Sequence, residues 1–294
     1  MWSVLKRYHF SRLPAFSQIP RVDNPPWEVF EEYFVAQAAP VVITGSPLFA
    51  DRALTLEDMA RPDVAGNIEV NVRSGNYMNV SARRNERMPL SDYVGRIVRP
   101  LEQQGAGLEE ADGLPRYAGN TPLTYEQFEA LGFRAPRFFS GKVCAAPRLW
   151  FGPKGSATPL HYDSRDNLIC QYIGRKHLIL FPPSEIPRLY TSGYAPSWSG
   201  IADPRFPDVE KYPRFAEARS VEVTLNAGEI LYLPARWAHF VLNLETSVMV
   251  NFWPEHTKGQ KARMAWEARV RRWKGRIAAL PQRLRPRAGL PKTG

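Results

Sequence analysis

Short apolar segments separated by turn residues dominate the second half of the chain. From residue 147 onward, runs of four to seven residues rich in branched and aromatic side chains alternate with Gly, Pro and Asn. Runs of this kind predict strands, and many of them at close spacing predict a β-sandwich or a β-barrel. The predicted strands span residues 148–152, 159–163, 167–173, 176–181, 221–225, 230–233, 239–244 and 248–253.

The first half of the chain mixes helical and strand patterns. Phe30 and Phe34 recur at helical spacing shortly after two consecutive prolines, which predicts that a helix begins there. Thr55 and Asp58 form a capping-box pattern, which predicts the start of a second helix. The remaining predictions in this half are a buried strand at 40–45, a half-buried strand at 68–72, a helix at 91–98 and an exposed loop rich in Gly, Glu and Gln at 101–116.

A long insertion interrupts the predicted strands at residues 182–220. It is rich in Pro, Tyr and Trp and shows little periodicity. Irregular segments of this length within a compact domain usually serve a function, typically as a lid or as part of a binding site. We therefore expect this insertion to serve as a lid or to form part of a binding site on the predicted barrel.

Composition is typical of a soluble globular protein. Of the 294 residues, 44% are hydrophobic and 23% are charged, which excludes a disordered or fibrous chain. No uncharged apolar run approaches the roughly 20 residues that span a bilayer. The only cysteines are Cys144 and Cys170, which excludes a disulfide framework and favours a reducing compartment, so we predict a cytoplasmic protein.

Positive charge is concentrated at the C-terminus. The chain carries a net charge of +10, of which residues 256–294 supply +11 and the remainder −1. The whole-chain charge therefore says little about the chemistry of the barrel. We divide the chain into a basic N-terminal arm (1–23), a catalytic domain (24–255) and a basic C-terminal helix with a flexible tail (256–294).

The C-terminal segment has an apolar seam on a basic helical pattern. The seam residues recur at spacings of three and four and are Trp266, Val270, Trp273, Ile277 and Leu280. Such a helix can pack on its own domain, form a homodimer with a second copy, or contact nucleic acid or an anionic membrane. We favour packing or dimerisation for residues 258–280 over nucleic-acid or membrane contact.

Three residues have the pattern of a metal site. His161 and Asp163 lie two positions apart in a predicted strand, so both side chains point to the same face. His239 begins another predicted strand, after a turn. Two imidazoles and one carboxylate leave coordination positions open, as in non-haem Fe(II) oxygenases. Each histidine could instead be an ordinary core residue, but their joint occurrence with Asp163 favours metal binding.

Further motifs accompany these three residues along the chain. Together they are His161-Tyr162-Asp163, Asn167, Gly174-Arg175-Lys176, Phe181-Pro182-Pro183, Phe206-Pro207-Asp208, Tyr212-Pro213-Arg214-Phe215, the segment 228–239 and Asn251-Phe252-Trp253. In their order and spacing, these motifs resemble the Jumonji C (JmjC), cupin-like family of Fe(II)- and 2-oxoglutarate-dependent oxygenases. Within it, the chain most resembles the subgroup of the asparaginyl hydroxylase that inhibits hypoxia-inducible factor. The resemblance spans about residues 25–255.

The resemblance implies a mainly β protein with flanking helices, whose core is a double-stranded β-helix, the jelly roll of cupins. It implies that His161, Asp163 and His239 hold Fe(II) and that 2-oxoglutarate and O2 are co-substrates. Lys176 would pair with the distal carboxylate of 2-oxoglutarate. The resemblance places Thr158, Asn167, Asn251 and Tyr117 around that co-substrate.

Lys176 also has an interpretation from the sequence alone. It follows a tight Gly174-Arg175 turn and begins an apolar strand, where an unpaired ammonium would be costly to bury. An exposed lysine at the end of a hairpin is the alternative.

The function implied by the resemblance is hydroxylation of a C–H bond in a protein side chain or a small molecule, with release of succinate and CO2. If the carbon carried nitrogen, the same chemistry would end in demethylation. Two alternatives stay open: a non-catalytic cupin-like binding module, and a metal-dependent cupin enzyme that does not use 2-oxoglutarate. The sequence does not identify the primary substrate.

Overall fold

The computed structural model describes residues 18–49, 51–73, 85–104, 116–139, 144–191 and 197–254. Their strands form a nine-stranded sheet of order β1-β2-β11-β8-β13-β6-β5-β3-β4 and a four-stranded sheet of order β10-β9-β12-β7. The strands are β1 Arg21–Asp23, β2 Val41–Thr44, β3 Glu69–Arg73, β4 Asn85–Pro89, β5 Tyr117–Pro122, β6 Arg148–Gly152, β7 Ala157–Tyr162, β8 Asn167–Ile173, β9 Lys176–Phe181, β10 Val221–Leu225, β11 Ile230–Leu233, β12 Ala238–Asn243 and β13 Ser247–Phe252.

Short helices flank the sheets. The α-helices are α1 Trp27–Phe30, α2 Leu56–Ala60, α3 Pro62–Ala65, α4 Leu90–Tyr93, α5 Arg99–Gln104 and α6 Tyr125–Ala130. Helices α1 and α4 continue as π-helical turns at Glu31–Val35 and Val94–Val98, and 3-10 turns occur at Arg137–Phe139, Pro183–Arg188 and Pro213–Glu217. Among the described residues, no helix is long and apolar enough to span a membrane.

The eight strands predicted in the second half of the chain build the barrel. Four of them, β6, β13, β8 and β11, are neighbours within the large sheet, and the other four form the small sheet. Five of the eight have the predicted bounds, and β7, β12 and β13 are shifted by one or two residues. This arrangement of four strands facing four is a jelly roll, so the predicted fold class is confirmed.

Successive side chains on these strands point to opposite faces of the sheets and contribute to three apolar clusters. The central cluster takes Ile169, Leu231 and Met249 from the large sheet and Leu178 and Leu180 from the small sheet, so it lies between the sheets. A larger cluster packs the other face of the large sheet against the N-terminal helices. A third cluster packs the outer face of the small sheet against the insertion at 182–220. The barrel interior is therefore covered on both sides.

Most of the remaining predictions agree with the structure. The predicted strands at 40–45 and 68–72 correspond to β2 and β3, and the helix at 91–98 corresponds to α4 with its π-helical turn. Thr55 and Asp58 form the predicted capping box at the start of α2. The sequence did not reveal β1, β4, β5 or α6. Strand β1 lies within the segment assigned to the N-terminal arm and pairs in parallel with β2.

The exposed loop predicted at 101–116 is wrong over its first residues. Residues 101–104 belong to α5, and Leu101 is buried in the large core cluster. Glu and Gln are good helix formers, so the composition that suggested a loop also permits the helix to continue. Residues 105–115, the predicted C-terminal helix and tail at 256–294, and most of the N-terminal arm lie outside the described residues.

We expect Phe30→Ala to destabilise the fold. The Phe30 side chain is fully buried and contacts the rings of Phe34, Phe138 and Tyr232. Loss of such a ring removes apolar burial and leaves a cavity, so the free energy of unfolding should fall by about 3–5 kcal/mol. Urea unfolding of purified protein measures this change.

Phe206→Ala is the matched control, because Phe206 is 79% exposed. Its free energy of unfolding should stay within about 0.5 kcal/mol of the wild type. Equal losses in the two variants would contradict the assignment of Phe30 to the core.

Candidate functional site

Strand pairing brings the two predicted histidine ligands together. His161 on β7 and His239 on β12 are direct partners in the antiparallel ladder, and their ring centroids lie 4.3 Å apart. A β-bulge follows this pair, and the ladder resumes with Thr158 opposite Val241. The bulge lets Thr158 and His161 face the same interior although they are three residues apart.

Backbone carbonyls orient both imidazole rings. The Nδ1 atom of His161 lies 2.8 Å from the carbonyl oxygen of Pro159, and Nδ1 of His239 lies 3.0 Å from that of Trp237. When Nδ1–H donates to a carbonyl, the lone pair of the neutral ring is on Nε2. Burial, with a further contribution from neighbouring His161, lowers the pKa of His239. This favours the neutral imidazole that a metal requires.

Asp163 completes a cluster of three potential ligands. It follows β7, and its Oδ2 accepts hydrogen bonds from Trp253 Nε1 at 3.2 Å and from Asn167 Nδ2 at 3.5 Å. One potential ligand atom from each of His161, Asp163 and His239 lies within 4.8 Å of the others. Two imidazoles and one carboxylate this close together suit Fe(II) and leave positions open for other ligands.

The insertion at 182–220 contributes an aromatic wall to this cluster. Trp198 forms an isolated antiparallel bridge with His161, and the two rings are stacked, with centroids 4.9 Å apart and an interplanar angle of 19°. The insertion therefore reaches the candidate site, as the sequence suggested, and restricts the orientation of His161.

Lys176 lies on the same interior face, deeper in the barrel. In the ladder between β9 and β12, Leu180 is opposite His239 and Lys176 is opposite Asn243. Positions 176, 178 and 180 share one face of β9, as 239, 241 and 243 do on β12. The backbone separation between positions 239 and 243 is about 13 Å at the usual strand rise.

The Lys176 ammonium is buried without a countercharge among the described residues. Its side chain has no exposed surface, Nζ donates to Asn243 Oδ1, and Nζ lies 3.4 Å from Tyr117 Oη. None of the carboxylates in the described part of the chain is within 4.0 Å of Nζ. Burial lowers the pKa of Lys176 to about 7. The exposed hairpin-end alternative is therefore wrong.

A two-residue turn places Lys176 at this depth. Gly174 has a φ of +68°, and a Cβ there would lie 2.1 Å from the carbonyl oxygen of Thr246. Only glycine fits this position. The side-chain amide of Gln171 donates to the carbonyl oxygens of Ile173, at 2.7 Å, and Gly174, at 3.3 Å, and thus holds the turn.

The other residues predicted to surround the co-substrate are also buried. Thr158, Asn167 and Asn251 are 4%, 1% and 4% exposed, and Tyr117 is 1% exposed. The side-chain oxygens of Asn167 and Asn251 are buried without a hydrogen-bond partner among the described residues. Buried polar atoms of this kind normally have partners. An interior with unmet polar groups and an unpaired ammonium fits a polar, anionic ligand.

Sequence reasoning missed Asn243. It is 1% exposed and provides the acceptor for Lys176. The period of two from His239 through Val241 would have indicated that Asn243 faces the interior.

A cavity lies beside Asp163. Its volume is about 310 Å³, which is in the range of small-molecule sites. Its walls are formed by Asn120, Ala145, Arg148, Asp163, Ser164, Arg165 and Trp253. The cavity places the carboxylate of Asp163 within reach of a molecule from solvent.

The sequence of the chain matches known proteins over most of its length. A model of the cupin-like domain matches residues 26–260. The tRNA wybutosine-synthesizing protein 5 of Mus musculus is 28% identical over 255 residues, which cover 83% of this chain and 79% of that protein. Lysine-specific demethylase 8 of Xenopus tropicalis is 27% identical over 253 residues, 82% of this chain and 54% of that protein.

A human relative matches a shorter stretch. The bifunctional peptidase and (3S)-lysyl hydroxylase JMJD7 is 33% identical over 135 residues, 38% of this chain and 42% of that protein. The chain thus spans about half the length of the demethylase and less of the hydroxylase. Resemblance to the asparaginyl hydroxylase subgroup stays a prediction. JmjC proteins are typically oxygenases that use Fe(II) and 2-oxoglutarate, and with the cupin-like domain matched over residues 26–260, this chain belongs to that cupin-like JmjC family.

Proposed function

We propose that this protein is an Fe(II)- and 2-oxoglutarate-dependent oxygenase that hydroxylates a C–H bond of a protein side chain or a small molecule. One observation carries the proposal. A cluster of His161, Asp163 and His239 shares the barrel interior with Lys176, a buried ammonium that has no countercharge among the described residues. The cluster suits iron, and the ammonium suits the far end of a dicarboxylate.

His161, Asp163 and His239 would hold the iron. Nε2 is the available atom of each histidine, because Nδ1 is engaged by a backbone carbonyl. With 2-oxoglutarate and O2, bound iron supplies the oxidising power for hydroxylation, and succinate and CO2 are released. Trp253 and Asn167 orient the Asp163 carboxylate from one side, which supports a fixed ligand geometry.

Lys176 would bind the distal carboxylate of 2-oxoglutarate. Burial of an ammonium is costly unless an anion pairs with it, and the described residues provide none within 4.0 Å. Tyr117, Thr158, Asn167 and Asn251 would line the same pocket. A dicarboxylate ligand would supply the missing charge and hydrogen-bond partners together.

The same observation disfavours the two alternatives. A binding module without turnover has no need of three converging metal ligands. A metal-dependent cupin enzyme that does not use 2-oxoglutarate has no need of a buried, unpaired lysine at this depth. Both features together are what an oxygenase with a dicarboxylate co-substrate requires.

The primary substrate would approach iron through the cavity beside Asp163. Relatives include a tRNA-modifying protein, a demethylase and a lysyl hydroxylase, so substrates in the family differ widely. Arg148, which lines the cavity, would favour a substrate group of negative charge. Hydroxylation at a carbon attached to nitrogen would end in demethylation.

Two further predictions from the sequence stay proposals. The C-terminal segment at 258–280 would form a homodimer contact or pack on its own domain, in preference to contacting nucleic acid or a membrane. The protein would be cytoplasmic, in keeping with two cysteines, Cys144 and Cys170, that form no disulfide.

We expect Asp163→Ala and His161→Ala to abolish iron binding and succinate formation. Either change removes one of three ligands, and two remaining ligands hold Fe(II) weakly. Anaerobic Fe(II) titration measures binding, and succinate produced from 2-oxoglutarate after admission of O2 measures turnover.

His177→Ala is the matched control for these variants. His177 faces away from the interior, and its Nε2 atom lies 3.3 Å from Oε2 of Glu222. Its substitution should leave iron affinity and succinate formation unchanged. Iron binding retained by Asp163→Ala, or lost equally in the control, would contradict the ligand assignment.

We also expect binding of 2-oxoglutarate to weaken as the pH rises. The pKa of Lys176 is about 7, and only the protonated ammonium attracts a carboxylate. The protonated fraction, and with it the affinity, should fall about tenfold between pH 6 and pH 8. Calorimetric titration of Mn(II)-loaded protein with 2-oxoglutarate measures this dependence.

Lys176→Met keeps the length of the side chain and removes its charge. This variant should bind 2-oxoglutarate weakly at every pH, with no decline between pH 6 and pH 8. Lys154→Met, at an exposed turn, is the control and should follow the wild type. An unchanged pH dependence in Lys176→Met would assign the effect to another group.

A further inference from the structure

Asn243 is the closest partner of the buried ammonium. It lies directly opposite Lys176 in the ladder between β9 and β12, and its side-chain oxygen accepts a hydrogen bond from Lys176 Nζ. Both residues are almost fully buried. The contact is therefore shielded from water, where a hydrogen bond has its greatest electrostatic effect.

Two backbone carbonyls fix the orientation of the Asn243 amide. Its Nδ2 atom donates to the carbonyl oxygens of Gly152, at 2.9 Å, and Pro153, at 3.3 Å. Rotation of the amide by 180° would place oxygen against these oxygens and nitrogen against the ammonium. The structure therefore determines that the amide oxygen faces Lys176.

The ammonium has three donors. One is directed to Asn243 Oδ1, and Tyr117 Oη lies 3.4 Å from Nζ. At least one donor is left for a further acceptor. Since both partners are neutral, the positive charge is held in place without being neutralised. A carboxylate at position 243 would provide the same acceptor but would cancel the charge.

We propose that Asn243 is a positioning residue that orients Lys176 and preserves its charge for the distal carboxylate of a dicarboxylate co-substrate. The inference rests on the proposed function and extends it to selectivity. Asn243 acts through Lys176 and does not itself contact the co-substrate. It makes the pocket selective for a 2-oxo acid with a second carboxylate over one that ends in a methyl group.

The test compares two probes that differ only at the distal end. 2-Oxoglutarate and 2-oxopentanoate share the 2-oxo acid group, and only the first carries the second carboxylate. Mn(II)-loaded wild type, Asn243→Asp and Asn243→Ala are each titrated with both compounds by calorimetry. Fe(II) titration and thermal unfolding of each variant report on the metal site and on folding.

Asn243→Asp should lose affinity for 2-oxoglutarate by at least about tenfold, because the new carboxylate pairs with Lys176 and repels the ligand. A neighbouring ammonium keeps this aspartate ionised. The affinity for 2-oxopentanoate should stay within about twofold, since that ligand makes no charge contact at this end. Iron affinity should be unchanged.

Asn243→Ala separates this role from a purely structural one. If Asn243 served only the packing of β9 and β12, Asn243→Asp would retain more affinity for 2-oxoglutarate than Asn243→Ala, because aspartate keeps the acceptor for Lys176. We expect the reverse order for 2-oxoglutarate affinity: wild type first, then Asn243→Ala, then Asn243→Asp. Asn85→Asp, on the exposed residue that begins β4, is the control for adding a negative charge.

The outcomes distinguish failure of this inference from failure of the proposed function. If wild type does not prefer 2-oxoglutarate to 2-oxopentanoate, the role of Lys176, and with it the proposed function, is wrong. If wild type shows the preference and Asn243→Asp retains it, the inference about Asn243 is overturned. A loss of 2-oxopentanoate affinity as large as the loss of 2-oxoglutarate affinity in Asn243→Asp would also overturn it.

Discussion

A buried ammonium, with no anion beside it in the part of the chain that the structure describes, is the constraint on which the candidate site depends. Lys176 is fully enclosed, and burial alone lowers its pKa to about 7. An apolar residue at the start of β9 would serve the stability of the barrel better, since a buried charge is costly without an anion beside it. Such a cost is typical of a functional site, where affinity for a ligand is maintained at the expense of stability.

The antiparallel ladders of the small sheet place Lys176 and the candidate metal ligands along one line. β12 lies between β7 and β9, so it pairs His239 with His161 on one side and Asn243 with Lys176 on the other. The candidate metal ligands and the ammonium thereby occupy the two ends of one interior face. The side chains of the central apolar cluster share this interior, with Leu178 and Val241 placed between the two ends.

Particular residues show how far the sequence predicts this arrangement. The barrel strands were predictable because each is a dense apolar run between turn residues. The candidate metal ligands were predictable because His161 and Asp163 lie two positions apart in a strand pattern, although the structure ends β7 at Tyr162. Strand β4, with the sequence Asn-Glu-Arg-Met-Pro, was not predictable, because an edge strand with mostly exposed side chains lacks a pattern of apolar positions. Tyr117 and Lys176 are 59 positions apart, and only the fold determines that they meet. Asn243 escaped notice because a single asparagine near a strand end is also common in turns.

Release of labelled CO2 from 2-oxoglutarate that carries carbon-14 at C1 is the most direct measure of oxygenase activity in this protein. We expect the purified protein to release labelled CO2 together with an equal amount of succinate, and only when Fe(II) and O2 are both present. Protein that binds Fe(II) at His161, Asp163 and His239 but releases no labelled CO2 with peptide, RNA or small-molecule substrates would contradict this expectation.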